Sequence, residues 1–108
     1  MIVVWDDDQA EIAEIIGSLR SQDTDTRAVE VKAAVGGFPK KLVRSISAFA
    51  NGTGGIIILG LDEDNGFVTV PGFDATAMAD ALAGACADLV TPSVRAQIDI
   101  VEWEGASI

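Results

Sequence analysis

The chain has 108 residues, of which 49% are hydrophobic and 22% are charged, and its formal net charge is −10 at pH 7. This size and apolar fraction suffice for one domain with its own core, and the apolar runs are too short to span a membrane. The chain contains no histidine, which excludes histidine-based acid–base catalysis and histidine-ligated metal sites.

Two further features predict a cytoplasmic location. The single cysteine, Cys86, cannot form an internal disulfide, and such usage is typical of reducing compartments. The N-terminus has an apolar patch but no basic segment before it, so we expect no signal peptide.

The charges are unevenly distributed along the chain. Residues 1–26 carry seven acids and one Arg (net −6), residues 45–108 carry nine acids and one Arg (net −8), and residues 27–44 carry five basic residues and one acid (net +4). An acidic protein repels nucleic acid as a whole, but a local basic face can still bind phosphate. From charge alone, an ordinary solvated surface is the simpler interpretation.

The first half of the chain predicts helices around one short strand. Apolar spacing predicts an amphipathic helix over residues 7–20. Alternation of valines with Glu30 and Lys32 predicts a half-buried strand over residues 28–33. Pro39 suits the first turn of a second helix, which carries Lys40, Lys41 and Arg44 on its outer face and ends at Asn51 and Gly52.

The second half predicts more strands. The β-branched run Ile56–Leu61 indicates a central strand buried on both faces, and Asn65 with Gly66 predicts a hairpin to a strand at residues 67–70. Asp74 is a suitable N-cap for a third helix, and residues 94–103 predict a last strand. The order α-β-α-β-β-α-β predicts an α+β fold, a two-layer sandwich with a mixed or antiparallel sheet of about four strands and about three helices.

A carboxylate cluster is the first candidate site. Glu30 and Lys32 lie on one face of a strand about 6–7 Å apart, the (D/E)-x-K arrangement of many nucleases. The Glu30 carboxylate, together with Asp25 and one of the acids at 62–64, could hold Mg²⁺ or Mn²⁺ for phosphodiester cleavage, with Lys32 beside the metal-bound water. An exposed Glu–Lys pair without chemistry is the alternative, and it is common by chance.

Two candidate phosphate contacts follow. The outer helix face with Lys40, Lys41 and Arg44, together with Lys32, could bind a nucleic-acid backbone without reading sequence. Residues 51–55 form a glycine-rich turn in which Asn51, Gly54 and Gly55 could meet a phosphate. A tight turn where two backbones approach closely is the alternative for the glycines.

Several of these features together resemble one family. Its pattern is carried by Glu30-Val31-Lys32, the run Ser47–Asn51, Gly54-Gly55 and the run Gly60–Asp64. This resembles the Schlafen/AlbA-like domain over roughly residues 23–104. The resemblance implies a small α+β module, residues 1–108 forming a single domain that is the N-terminal part of a longer protein.

The resemblance also implies functions. The family carries DNA-binding labels and "divergent AAA" ATP-binding labels, and many bacterial members are classed as regulators. Its animal members include RNA-cleaving enzymes with three carboxylates, which by motif position correspond to Asp25, Glu30 and either Asp62 or Asp64. The first acid is usually Glu, so Asp25 is one methylene shorter.

We therefore expect a DNA-binding module of a transcriptional regulator, with DNA or RNA as partner and no membrane association. A metal-dependent RNA endonuclease using Mg²⁺ or Mn²⁺ at Asp25, Glu30 and Asp62, and an ATP-binding domain, are the alternatives. Self-association and docking to domains after residue 108 stay open.

Overall fold

The computed structural model describes residues 2–4, 12–21, 29–51, 55–88 and 97–108. In chain order, the described elements are β1 (Ile2–Val4), α1 (Ile12–Ser21), β2 (Val29–Lys32), α2 (Leu42–Asn51), β3 (Ile56–Leu59), β4 (Leu61–Asp62), a 3-10 turn (Glu63–Asn65), β5 (Val68–Thr69), α3 (Ala75–Asp88), β6 (Gln97–Asp99), β7 (Glu102–Trp103) and β8 (Ala106–Ser107).

A mixed four-stranded sheet in the order β2-β3-β1-β6 forms the centre of the fold. Strand β2 runs parallel to β3, with Glu30 opposite Ile57 and Lys32 opposite Leu59. Strand β1 is antiparallel to both of its neighbours, β3 and β6. The predicted α+β class and mixed sheet are confirmed.

Strand β3 is buried on both faces, as its unbroken apolar sequence predicts. Ile57 and Leu59 belong to one core cluster with residues of α2 and α3. Ile56 and Ile58 belong to a second cluster, which contains Ile15 and Ile16 of α1. Because neighbouring strand residues point to opposite faces, α1 lies on the other side of the sheet from α2 and α3. The predicted two layers are thus extended by a third.

Gly60 separates the predicted strand Ile56–Leu61 into β3 and β4. Its φ is +100°, and an added Cβ would lie 2.8 Å from the Phe73 ring and 3.1 Å from Ile108 Cγ2. The chain can therefore leave the sheet here only with glycine. Strand β4 then pairs with β5 in the hairpin predicted from Asn65 and Gly66, and Gly66 adopts the left-handed conformation at its turn.

The structure differs from the prediction at both ends of the described chain. Ile2–Val4 was expected to be only an apolar patch, but it forms the strand between β3 and β6. The first three residues of the predicted strand 94–103 lie outside the described ranges. The described part is broken after Asp99 and turns back at Glu104 and Gly105, which have φ of +48° and +83°. The last four residues complete the β7–β8 hairpin.

The helices agree more closely with prediction. Helix α1 covers the described part of the predicted helix 7–20, whose first residues lie outside the described ranges. Asp74 caps α3 as predicted, because its Oδ1 accepts a hydrogen bond from the backbone N–H of Ala77 at 3.0 Å. None of the described helices has the length and apolar character needed to cross a bilayer.

Candidate nucleic-acid interface

The candidate site begins on β2, an edge strand of the sheet. Glu30 and Lys32 lie beside Ile57 and Leu59 in register, so they are on the sheet face that carries α2 and α3. The Lys32 ammonium lies 3.1 Å from Glu30 Oε1, with both side chains partly exposed. Each charge therefore has its counterion within the strand itself. This matches the alternative of an exposed Glu–Lys ion pair without a chemical role.

The β2–α2 loop (residues 33–41) follows directly. Ala34 has φ of +56°, and Gly36 and Gly37 have φ of +90° and +128°. Left-handed backbone is unfavourable for a residue with a Cβ, so Ala34 is held there by its surroundings, and it packs against the core cluster shared with α2 and α3. Val35, between these positions, is 49% exposed.

The start of α2 differs from the prediction. The helix begins at Leu42 instead of at Pro39, because Pro39, Lys40 and Lys41 form a tight turn in which their carbonyls accept hydrogen bonds from the amides three residues ahead. Lys40 and Lys41 thus precede the helix, and Arg44 lies in its first turn. We call Lys40, Lys41 and Arg44 the basic cluster.

Within the described part of the chain, no acidic side chain neutralises the basic cluster. All three side chains are exposed, and across the described ranges none forms an ion pair. The first turn of α2 carries no acid. Aligned peptide dipoles make a helix N-terminus positive, so the helix adds to the field of these three cations. This end of α2 is therefore a locally positive surface on an acidic protein.

The acidic end of the motif has a local structural role. The Asp62 carboxylate caps the 3-10 turn: Oδ1 accepts from the Asp64 backbone N–H at 3.0 Å and Oδ2 from Asn65 Nδ2 at 2.5 Å. Asp64 itself is exposed. The Gly60 N–H donates to the Lys32 carbonyl at 2.9 Å, so β4 begins at the carboxyl end of β2.

The predicted metal ligands are only partly within the described ranges. Asp25 lies outside them. Among the residues that are described, no three acidic or sulfur ligands are grouped closely enough to hold a metal ion. Glu30 contacts Lys32 and Asp62 caps a turn, so a metal site here depends on the position of Asp25.

Of the predicted phosphate contacts in the glycine-rich turn, Gly55 is explained by packing. An added Cβ would lie 2.5 Å from Cγ of the Phe49 ring. This ring, carried by α2, therefore packs directly on the backbone that leads into β3. Gly54 and the side chain of Asn51 lie outside what the structure describes. Gly55 therefore matches the interpretation of close backbone approach.

Arg20 makes contacts that the sequence did not indicate. Its guanidinium donates to the carbonyls of Gly66 and Phe67 at 3.0 and 3.1 Å, pairs with the Glu104 carboxylate, and lies 5.6 Å from the centroid of the Trp103 ring. Arg20 thus joins α1 to both hairpins. The sequence alone does not predict these contacts, since partners so distant in the chain leave no local signal.

A protein-family model matches most of the chain. The family model described as Schlafen, AlbA_2 matches residues 25–108. The chain belongs to this family. The Schlafen/AlbA_2 match includes every candidate site residue from Asp25 to Asp64, whereas β1 and α1 precede it. No curated protein and no solved structure matches the chain.

Proposed function

We propose that this Schlafen/AlbA_2 domain is a nucleic-acid-binding module, and that it serves as the DNA-binding part of a bacterial-type transcriptional regulator. The observation that carries the proposal is the basic cluster: three exposed cations without carboxylate partners in the described chain, at the positive end of α2. Family membership supports a nucleic-acid-related role.

The electrostatics favour a polyanionic partner. Cations interact unfavourably with the positive end of a helix dipole, and acids are the residues usually favoured in a first helical turn. A phosphate backbone would supply the missing negative charge. Lys32 is on the preceding strand and is already paired with Glu30, so in this proposal it contributes less than the basic cluster.

The test replaces Lys40, Lys41 and Arg44 together with Gln and measures binding to a labelled 20-base-pair DNA duplex by fluorescence anisotropy at several salt concentrations. We expect weaker binding and a shallower dependence of log K on log salt, by about 0.9 for each phosphate that the variant no longer neutralises. Arg95→Gln is the control, because it removes one cation outside the cluster in sequence. Affinity and salt dependence equal to those of the unmodified chain would overturn the proposal.

Metal-dependent RNA cleavage is the enzymatic alternative, with Asp25, Glu30 and Asp62 or Asp64 holding Mg²⁺ or Mn²⁺. Glu30→Gln tests both proposals, because one predicts a change in binding affinity and the other a loss of RNA cleavage. If Glu30 only neutralises Lys32, the substitution releases a cation and strengthens nucleic-acid binding by up to about fivefold. If Glu30 is a metal ligand, the substitution abolishes Mg²⁺-dependent cleavage of a labelled RNA, which gel electrophoresis would detect.

ATP binding has less support. It relies on Asn51, Gly54 and Gly55, and the Phe49 ring already covers the position where a Gly55 side chain would be. Millimolar ATP should therefore leave the melting temperature unchanged, whereas a bound nucleotide would raise it.

A further inference from the structure

The β2–α2 loop carries a feature that phosphate binding does not explain. Val35 is a β-branched aliphatic residue that is 49% exposed. It lies between a strained Ala34 and two left-handed glycines. An exposed valine contributes little to the core, and a left-handed Ala costs about 1 kcal/mol or more. Such a loop is poorly optimised for stability alone.

Lys32 and the basic cluster flank Val35 in the chain. The span of an extended chain places the Cα of Val35 within about 11 Å of that of Lys32 and within about 18 Å of that of Lys40. The grooves of duplex DNA are about 6 and 12 Å wide. These upper limits are comparable with the groove widths, so Val35 and the flanking cations are close enough to contact one groove and its bordering phosphates together.

A duplex fits this surface better than a single strand does. Single-strand binders stack bases on exposed aromatic side chains. Among the described residues, the exposed large hydrophobic side chains are Val35, Val68 and Ile100, none of which is aromatic. Phe38, in the same loop, packs against the core cluster of α2 and α3. Base stacking at this surface therefore lacks its usual platform.

We propose that the β2–α2 loop inserts Val35 into a groove of duplex DNA while the basic cluster contacts the bordering phosphates. The proposal rests on the proposed function and adds the form of the nucleic acid and a second, apolar contact. Charge complementarity supplies the argument for the partner: the loop connects four of the seven basic residues of an acidic chain.

The experiment compares Val35→Ser with Ile100→Ser. Ile100 is 46% exposed and follows β6, at the opposite edge of the sheet from β2, so it is a matched control. Each variant is titrated against a 20-base-pair DNA duplex, the corresponding RNA duplex and the single DNA strand. Thermal unfolding checks that each variant is folded.

We expect Val35→Ser to weaken duplex-DNA binding several-fold with an unchanged salt dependence, because no cation is removed, and Ile100→Ser to leave affinity unchanged. Equal affinity of the two variants for duplex DNA would overturn the loop proposal and leave the basic cluster as the binding surface. Tighter binding to the single strand or to duplex RNA would also overturn it. Salt-independent binding, or none, would overturn the proposed function itself.

Discussion

Gly55 shows how one residue explains a sequence motif. The motif places an aromatic residue near the end of α2 and a glycine just before β3. In the structure the Phe49 ring lies where a Gly55 side chain would be. The two positions are therefore two halves of one contact, which brings helix and strand close together at the turn.

We expect Gly55→Ala to destabilise the domain by about 1–3 kcal/mol, because its Cβ would overlap the Phe49 ring and force both backbones apart. Chemical denaturation measures the effect. Gly84→Ala is the control, since Gly84 lies in α3 with no atom within 4 Å of an added Cβ, and there the same change should stabilise by up to about 1 kcal/mol. Equal effects at both positions would contradict the packing explanation.

At the scale of the element, the cations at the N-terminus of α2 favour nucleic-acid binding but lower the stability of the helix. Three cations at the positive end of a helix each cost about 0.3–1 kcal/mol relative to favourable acids. A bound anion would interact favourably both with the three cations and with the positive end of the helix. The stability and the affinity of this element should therefore change in opposite directions when its charge is altered.

Lys40→Glu combined with Lys41→Glu should raise the melting temperature by a few degrees in 0.15 M salt and should abolish DNA binding. Calorimetry and anisotropy measure the two effects. Ala81→Glu, which adds one negative charge on the exposed face in the middle of α3, shows the effect of an added acid away from a helix N-terminus. A double variant that is less stable than this control would show that the helix dipole does not determine how charge at the start of α2 changes stability.

For the whole molecule, local patterns predicted the elements better than their arrangement. Alternation placed Val31 in the core with Glu30 and Lys32 on the other face of β2, and the Asp74 cap and the Asn65-Gly66 turn were also recognisable from composition. Family, α+β class and mixed sheet were predicted correctly. The alternation in β2, the Asp74 cap and the Asn65-Gly66 turn each rest on residues close together in the chain.

The missed features depend on distant partners. Ile2–Val4 is too short for an alternation signal, and it becomes a strand only because β3 and β6 both pair with it. The C-terminal hairpin is the exception, because it is local: Val101 and Ile108, seven residues apart, exchange both backbone hydrogen bonds. The contacts of Arg20, like those of β1, join segments that lie far apart in the sequence.

The central position of β1 has a consequence for folding. Its two neighbours come from the middle and the far end of the chain, so neither pairing can form while only the first residues have been synthesised. Contacts between such distant segments slow folding, because loop closure precedes any gain in stability. Strand β6 is joined to the sheet only through β1 among the described strands. The sheet is therefore completed late. Until β6 pairs with β1, the backbone edge of β1 stays unpaired and can pair with another chain.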